Sequence, residues 1–112
     1  MKFKTSEKNS VTIISLQGNI MGGPDANLLN ELLHKLVAQG KKKIVLDLKG
    51  VKLMNSSGLG MLIAALTTMK NASGNLKLAS ASKKIENLLI ITKLVNIFEI
   101  YKTVKEATDS YK

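Results

Sequence analysis

The sequence predicts an α/β domain built on a mostly parallel β-sheet, and three observations point there. Short, β-branched apolar runs alternate with longer stretches whose apolar residues recur at helical spacing. The run Ile44-Val45-Leu46-Asp47-Leu48 is almost uninterrupted, the pattern of a strand covered on both faces. Turn-forming residues separate the two kinds of segment along the whole chain. The resulting order is β-β-α-β-α-β-α-β-α, which requires right-handed crossovers between parallel strands. The first two strands can pair as an antiparallel edge.

Each element has its own signal. Phe3 to Glu7 reads as a first strand and Val11 to Leu16 as a second, the latter ending at Gly18. Gly22-Gly23-Pro24-Asp25 breaks the pattern, and Pro24 suits the first turn of a helix because its fixed φ matches and its missing N–H is not needed there. Leu29, Leu32, Leu33, Leu36 and Val37 form the apolar stripe of that helix, with Gly40 as its C-terminal stop. After the strand Ile44 to Leu48 come Val51 to Met54 and then Asn55-Ser56-Ser57-Gly58, which opens a second helix. Its expected core positions are Leu59, Leu62, Ile63, Leu66 and Met69. Asn71 to Asn75 is a turn and Leu76 to Ala79 a strand. Ser82 caps a third helix that carries Ile85, Leu88 and Leu89. Ile97 to Tyr101 reads as the last strand, and Thr103 with Glu106 forms a capping box for a terminal helix.

Composition narrows the function. At 112 residues, 45% of them hydrophobic and 22% charged, the chain fits one self-sufficient domain over residues 1–112. Zero cysteines exclude disulfides, thiolate metal sites and thiol catalysis, and a single histidine excludes a multi-histidine metal centre within one chain. No apolar run approaches the ~20 residues that cross a bilayer, so no membrane insertion is expected. Met1 to Lys8 has no apolar centre of a secretory signal, and the expectation is a cytoplasmic protein. The net charge of +9 suggests nucleic acid, but all 17 basic residues are lysines. Arginine is the residue that reads guanine edges and clamps phosphates with two parallel bonds. The four aromatics, Phe3, Phe98, Tyr101 and Tyr111, are too scattered for base stacking. No specific nucleic-acid partner is expected.

Catalytic inventories fail on supply. A serine triad would have to draw on Ser56 or Ser57, His34 and Asp47, yet no G-x-S-x-G elbow exists. His34 sits beside the first helix's apolar stripe, a flanking or partly buried position. Gly58-Leu59-Gly60 lacks the third dinucleotide-loop glycine, because Ile63 occupies that position. The acidic residues are scattered singly along the chain, so no metal-binding carboxylate cluster is legible. The expectation is a non-enzyme with no catalytic residue, no metal and no cofactor.

What remains is the junction Met54-Asn55-Ser56-Ser57-Gly58-Leu59-Gly60. Asn or Ser here can cap the free N–H groups of the helix's first turn. Two glycines in that turn cost roughly 1 kcal/mol each against alanine, so something must repay them. They serve close helix–sheet packing, or they leave bare backbone for another molecule to approach. A hydroxyl at a helix N-terminus also suits phosphorylation, since the phosphate meets the positive end of the helix dipole.

The segment Ile44-Val45-Leu46-Asp47-Leu48-Lys49-Gly50-Val51, followed by Met54-Asn55-Ser56-Ser57-Gly58-Leu59-Gly60-Met61-Leu62, strongly resembles the signature of the STAS domain family. Within it, the likeness is to bacterial anti-sigma factor antagonists and extends over nearly the whole chain. Gly18 and the tail Leu94-Val95 through Phe98, Ile100 and Glu106-Ala107 fit the same pattern. The resemblance implies a single STAS-type domain, a mostly parallel mixed sheet with helices packed on it. It implies a protein that binds an anti-sigma factor serine kinase, frees a sigma factor, is released by phosphorylation of Ser56, and is restored by a serine phosphatase. The partner-binding residues it implies are Asn55, Ser57, Gly58, Leu59, Gly60, Met61, Met21 and Gly22. The other function such a resemblance allows is a non-phosphorylated scaffold module of a multiprotein or transporter complex. Two differences from the family pattern remove negative charge: Asn55 stands where Asp is usual, and Gly18-Asn19-Ile20-Met21 lacks two acids.

Overall fold

The computed structural model describes residues 2–111; Met1 and Lys112 lie outside the described residues. Two strands, β1 (Lys2–Lys8) and β2 (Val11–Ile20), form an antiparallel hairpin through Asn9 and Ser10, both at positive φ. Then follow α1 (Pro24–Ala38), β3 (Lys43–Met54), α2 (Ser56–Asn71), β4 (Asn75–Ala79), α3 (Lys83–Ile91), β5 (Ile100–Tyr101) and α4 (Val104–Asp109). The sheet order is β1-β2-β3-β4-β5, with β2 to β5 parallel. Because each crossover advances one strand in the same direction with the same hand, α1, α2 and α3 must all land on one face. The side chains agree. Ile14, Leu16, Ile44, Leu46, Leu48, Leu76 and Leu78 join the three helices in the main core, whereas Val11, Ile13, Val45 and Ala79 meet Ala107 of α4 on the other face.

Helix α1 begins with Pro24 and ends as expected at Gly40, which takes φ 78°. The Lys41 amide bonds the Leu36 carbonyl and the Gly40 amide bonds Val37, so two of the helix's last carbonyls are satisfied. His34 is exposed on α1.

Three sequence expectations are corrected. First, β2 does not stop at Gly18, and β3 runs unbroken through Lys49 and Gly50; both continue over paired irregularities in the ladder. Gly18 takes φ 107°, and a Cβ on Gly50 would press within 2.9 Å of the Leu16 carbonyl, so glycine lets both strands extend past the bulge. Second, the last strand is only Ile100–Tyr101, not Ile97 to Tyr101. Lys93 adopts the left-handed conformation, Leu94–Asn96 forms a single 3-10 turn, and Phe98 swings into the core while its amide bonds the Leu94 carbonyl.

Third, α2 is rotated relative to its predicted stripe. Its buried residues are Gly58, Met61, Leu62, Ala65, Leu66 and Met69, whereas Ile63 is exposed. The cause lies at the helix start. Gly58 sits against the Ile20 carbonyl at the end of β2, so close that a Cβ would overlap that oxygen. This contact turns Gly58 inward and carries Ile63 outward.

The other face depends on α4. Lys77 of β4 is buried beneath it, its Nζ 2.7 Å from Ser110 Oγ and 4.1 Å from the Tyr111 ring centroid. The Tyr111 hydroxyl donates to the Ile44 carbonyl at 2.7 Å. Burial holds this phenol above its ordinary pKa, so it stays a donor.

Two stability predictions follow from these contacts. Gly58→Ala is expected to cost about 3 kcal/mol, the upper end of overpacking a core. Gly60→Ala meets open space in a helix interior and should stabilise by roughly 0.5–1 kcal/mol. Urea unfolding of both variants checks the contrast; equal effects would contradict the rotation assigned to α2. Tyr111→Phe should cost about 1 kcal/mol and raise amide exchange in α4 ahead of the rest, as read by hydrogen exchange. Uniform exchange across the chain would show that α4 is not held separately.

Candidate partner-docking site

The C-terminal ends of β2 and β3 lie side by side, and the segments leaving them converge. In parallel α/β sheets this end is where loops and helix N-termini gather. Here the Asn55 amide bonds the Ile20 carbonyl at 3.2 Å, tying the start of α2 to the end of β2. The loop after β2 turns through Gly22 and Gly23, both at positive φ. Gly22 is buried against Ser57, where a Cβ would come within 2.7 Å of the Ser57 Cβ. Glycine is needed twice over, for the backbone conformation and for the approach.

The capping question left open by the sequence is resolved by Asn55. Its side-chain oxygen accepts from the Gly58 amide at 2.8 Å, and its backbone carbonyl accepts from Leu59 at 2.9 Å. An asparagine in extended conformation does this as well as an aspartate would, without the charge. Neither Ser56 nor Ser57 is therefore occupied in capping. Both are exposed, as the first two residues of the helix. No acidic residue lies in this first turn, so nothing there repels an incoming anion.

The predicted site residues divide between surface and support. Asn55, Ser56, Ser57, Gly60 and Met21 are exposed, with Met21 in the adjoining loop. Leu59 is half-buried against the core. Gly58, Met61 and Gly22 are buried and shape the site from beneath. Sequence reasoning placed Ile63 in the core, yet Ser56, Gly60, Ile63 and Thr67 are all exposed at spacings that form one stripe along α2. The signal that could have found it was the Gly58–Met61–Leu62–Ala65 period, read from the glycine rather than from Leu59.

The site has a neutral, partly apolar surface and two hydroxyls at a helix N-terminus. Among the described residues no cluster of His, Cys, Asp or Glu could hold a metal ion, and no helix is long and apolar enough to cross a membrane. Such a surface suits recognition by another protein, and its hydroxyls can accept a phosphoryl group.

Comparison with known proteins agrees with this geometry. A family model described as the STAS domain matches residues 2–107. The anti-sigma-B factor antagonist of Bacillus subtilis is 36% identical over 88 residues, covering 76% of this chain and 80% of that protein. A crystal structure from Thermotoga maritima shares the fold with a TM-score of 0.85 at 27% identity, covering 96% of this chain and 92% of that one. SpoIIAA in its phosphorylated form shares the fold at 18% identity, with a TM-score of 0.72 and coverage of 99% and 100%. The paired strand ends, the asparagine-capped Ser-Ser-Gly helix start and the family match over residues 2–107 agree, and the chain belongs to the STAS domain family.

Proposed function

We propose that this protein is a cytoplasmic anti-sigma factor antagonist, one STAS domain over residues 1–112. It docks on an anti-sigma factor serine kinase, frees a sigma factor, and is switched off by phosphorylation of Ser56. A serine phosphatase reverses the switch. The protein performs no catalysis itself. The observation that carries this reading is the division of labour at the helix start: Asn55 makes the cap, leaving two exposed serine hydroxyls in a surface flanked by Met21 and Ile63. The names of its relatives support the same role.

Ser56 is the better acceptor of the two. Ser57 backs onto Gly22, which limits how a kinase could wrap it, while Ser56 stands one residue further out on the stripe with Gly60 and Ile63. A phosphate there brings roughly −1.5 to −2 charges to the positive end of α2. The fold has no reason to break, because Gly58 and Asn55 hold the helix start from the other side. The phosphate acts on the partner instead, adding charge and bulk to a surface that binding must desolvate.

Incubation with the cognate kinase and ATP should add one phosphate by intact mass, lost in Ser56→Ala and kept in Ser57→Ala. The reverse pattern would move the assignment to Ser57. On the phosphorylated sample, the melting temperature should stay within a few degrees while affinity for the anti-sigma factor falls at least about tenfold, about 1.4 kcal/mol. Unchanged affinity would leave no phospho-switch at this site.

A further inference from the structure

The exposed large apolar side chains are unevenly placed. Met21 and Ile63 border the Ser56 site and Leu28 and Leu53 stand singly on α1 and β3, but four others fall within residues 90–97: Ile90, Ile91, Val95 and Ile97, with Ile91 76% exposed. This segment ends α3 and makes the 3-10 turn before β5, at the sheet edge beyond β4, so it is not part of the surface around Ser56. Beside it lies a cleft of about 690 Å³ between α3 and β5. Ile90, Val95, Phe98 and Ile100 give it an apolar lining, and Lys83, Glu86 and Lys102 supply its charges. That volume is within the range of built binding sites. Exposed apolar side chains gathered in one short segment beside such a cleft are what an interaction site presents.

We propose that the α3–β5 cleft is a second docking groove, which takes an amphipathic helix of a protein partner whose apolar anchors are flanked by carboxylates. Two lysines face one carboxylate in the cleft, and Lys84 on α3 and Lys93 just after it are exposed as well. Glu99 is not among the residues lining the cleft, and its carboxylate is already engaged by the Tyr101 hydroxyl, Asn75 and Lys77. The same charges disfavour a second copy of this chain: a two-fold contact would bring four lysines together with only two Glu86 carboxylates, an excess of positive charge that an acidic partner does not carry. They argue less against an acyl chain, but one buried in the cleft would leave Ile91 and Ile97 in water. An amphipathic helix covers cleft and ridge together, its apolar stripe inward and its acids on the lysines. A protein so equipped holds one partner at the α3–β5 groove while the Ser56 surface binds or releases another.

The probe is a synthetic amphipathic helical peptide with leucines on one face and glutamates flanking them, paired with a twin carrying glutamine for each glutamate. Titrated into isotope-labelled full-length protein, the glutamate peptide should give saturable amide shifts within residues 83–102. The glutamine twin should bind at least about tenfold more weakly. Ile91→Asp, at an exposed position that the fold does not use, should weaken binding by a similar factor, as should Lys83→Glu with Lys102→Glu; Ser56→Glu should leave it unchanged. Shifts confined to residues 55–67, equal affinity of the two peptides, or no saturable binding would each overturn the proposal. So would sedimentation showing a dimer that Ile91→Asp dissolves, or decanoate saturating the cleft where the peptide does not. The test is independent of the anti-sigma reading, since it scores a different face and needs neither kinase nor phosphate.

Discussion

The contact on which the candidate docking surface depends is the approach of Gly58 to the carbonyl of Ile20. A helix packed on a sheet normally keeps its backbone a side chain's width away, but here the first turn of α2 rests directly on the end of β2. Three things result. The helix is rotated so that Met61, Leu62 and Ala65 go down into the core. Its opposite stripe, starting at Ser56, is lifted into solvent. The loop after β2 is drawn in until Gly22 touches Ser57, so loop and helix form one continuous surface. The helical cost of Gly58 is offset by this packing, the structural role the sequence allowed for it.

The handedness of the crossovers sets a second, larger asymmetry. Since every crossover winds the same way, one face of the sheet receives three helices and the other only α4, six residues long. So short a helix has little apolar area with which to dock. It is secured by polar anchors: the Tyr111 hydroxyl on a strand carbonyl and the buried Lys77 ammonium among Ser110, Tyr111 and Glu99. The Lys77 stem lies in the sheet's apolar layer while its head meets an aromatic face, an arrangement that needs an aromatic beside the cation rather than water.

The lysine excess takes on a different meaning in three dimensions. Read along the chain, +9 suggests a polyanion partner. In the fold, individual lysines are put to separate uses: Lys77 is buried under α4, Lys41 pairs with Glu7, Lys105 pairs with Asp109, and Lys83 and Lys102 line the α3–β5 cleft. The start of α2 has no basic or acidic residue in its first turn. On the proposed reading, a phosphate added to this neutral turn would change the local charge outright rather than by degree.

The amino-acid sequence by itself determined the order of elements, the antiparallel first pair, the Pro24 start and Gly40 stop of α1, the Ser82 and Thr103 caps and the hydroxyl-bearing opening of α2. These rest on local rules, φ preferences, cap chemistry and apolar period, that operate within a few residues. Only the tertiary structure decided which way α2 faces, how far β2 and β3 extend, and where the chain enters β5. Each of these depends on a contact between distant segments: Gly58 on Ile20, Gly50 beside Leu16, and Phe98 turned into the core. The period of Leu59, Leu62, Ile63 and Leu66 fits two neighbouring rotations of α2, and the choice between them is made by a backbone contact with β2. For that reason the exposed helix start at Asn55, Ser56 and Gly60 was legible in advance as a candidate site, whereas the outward position of Ile63 and the inward one of Met61 were not.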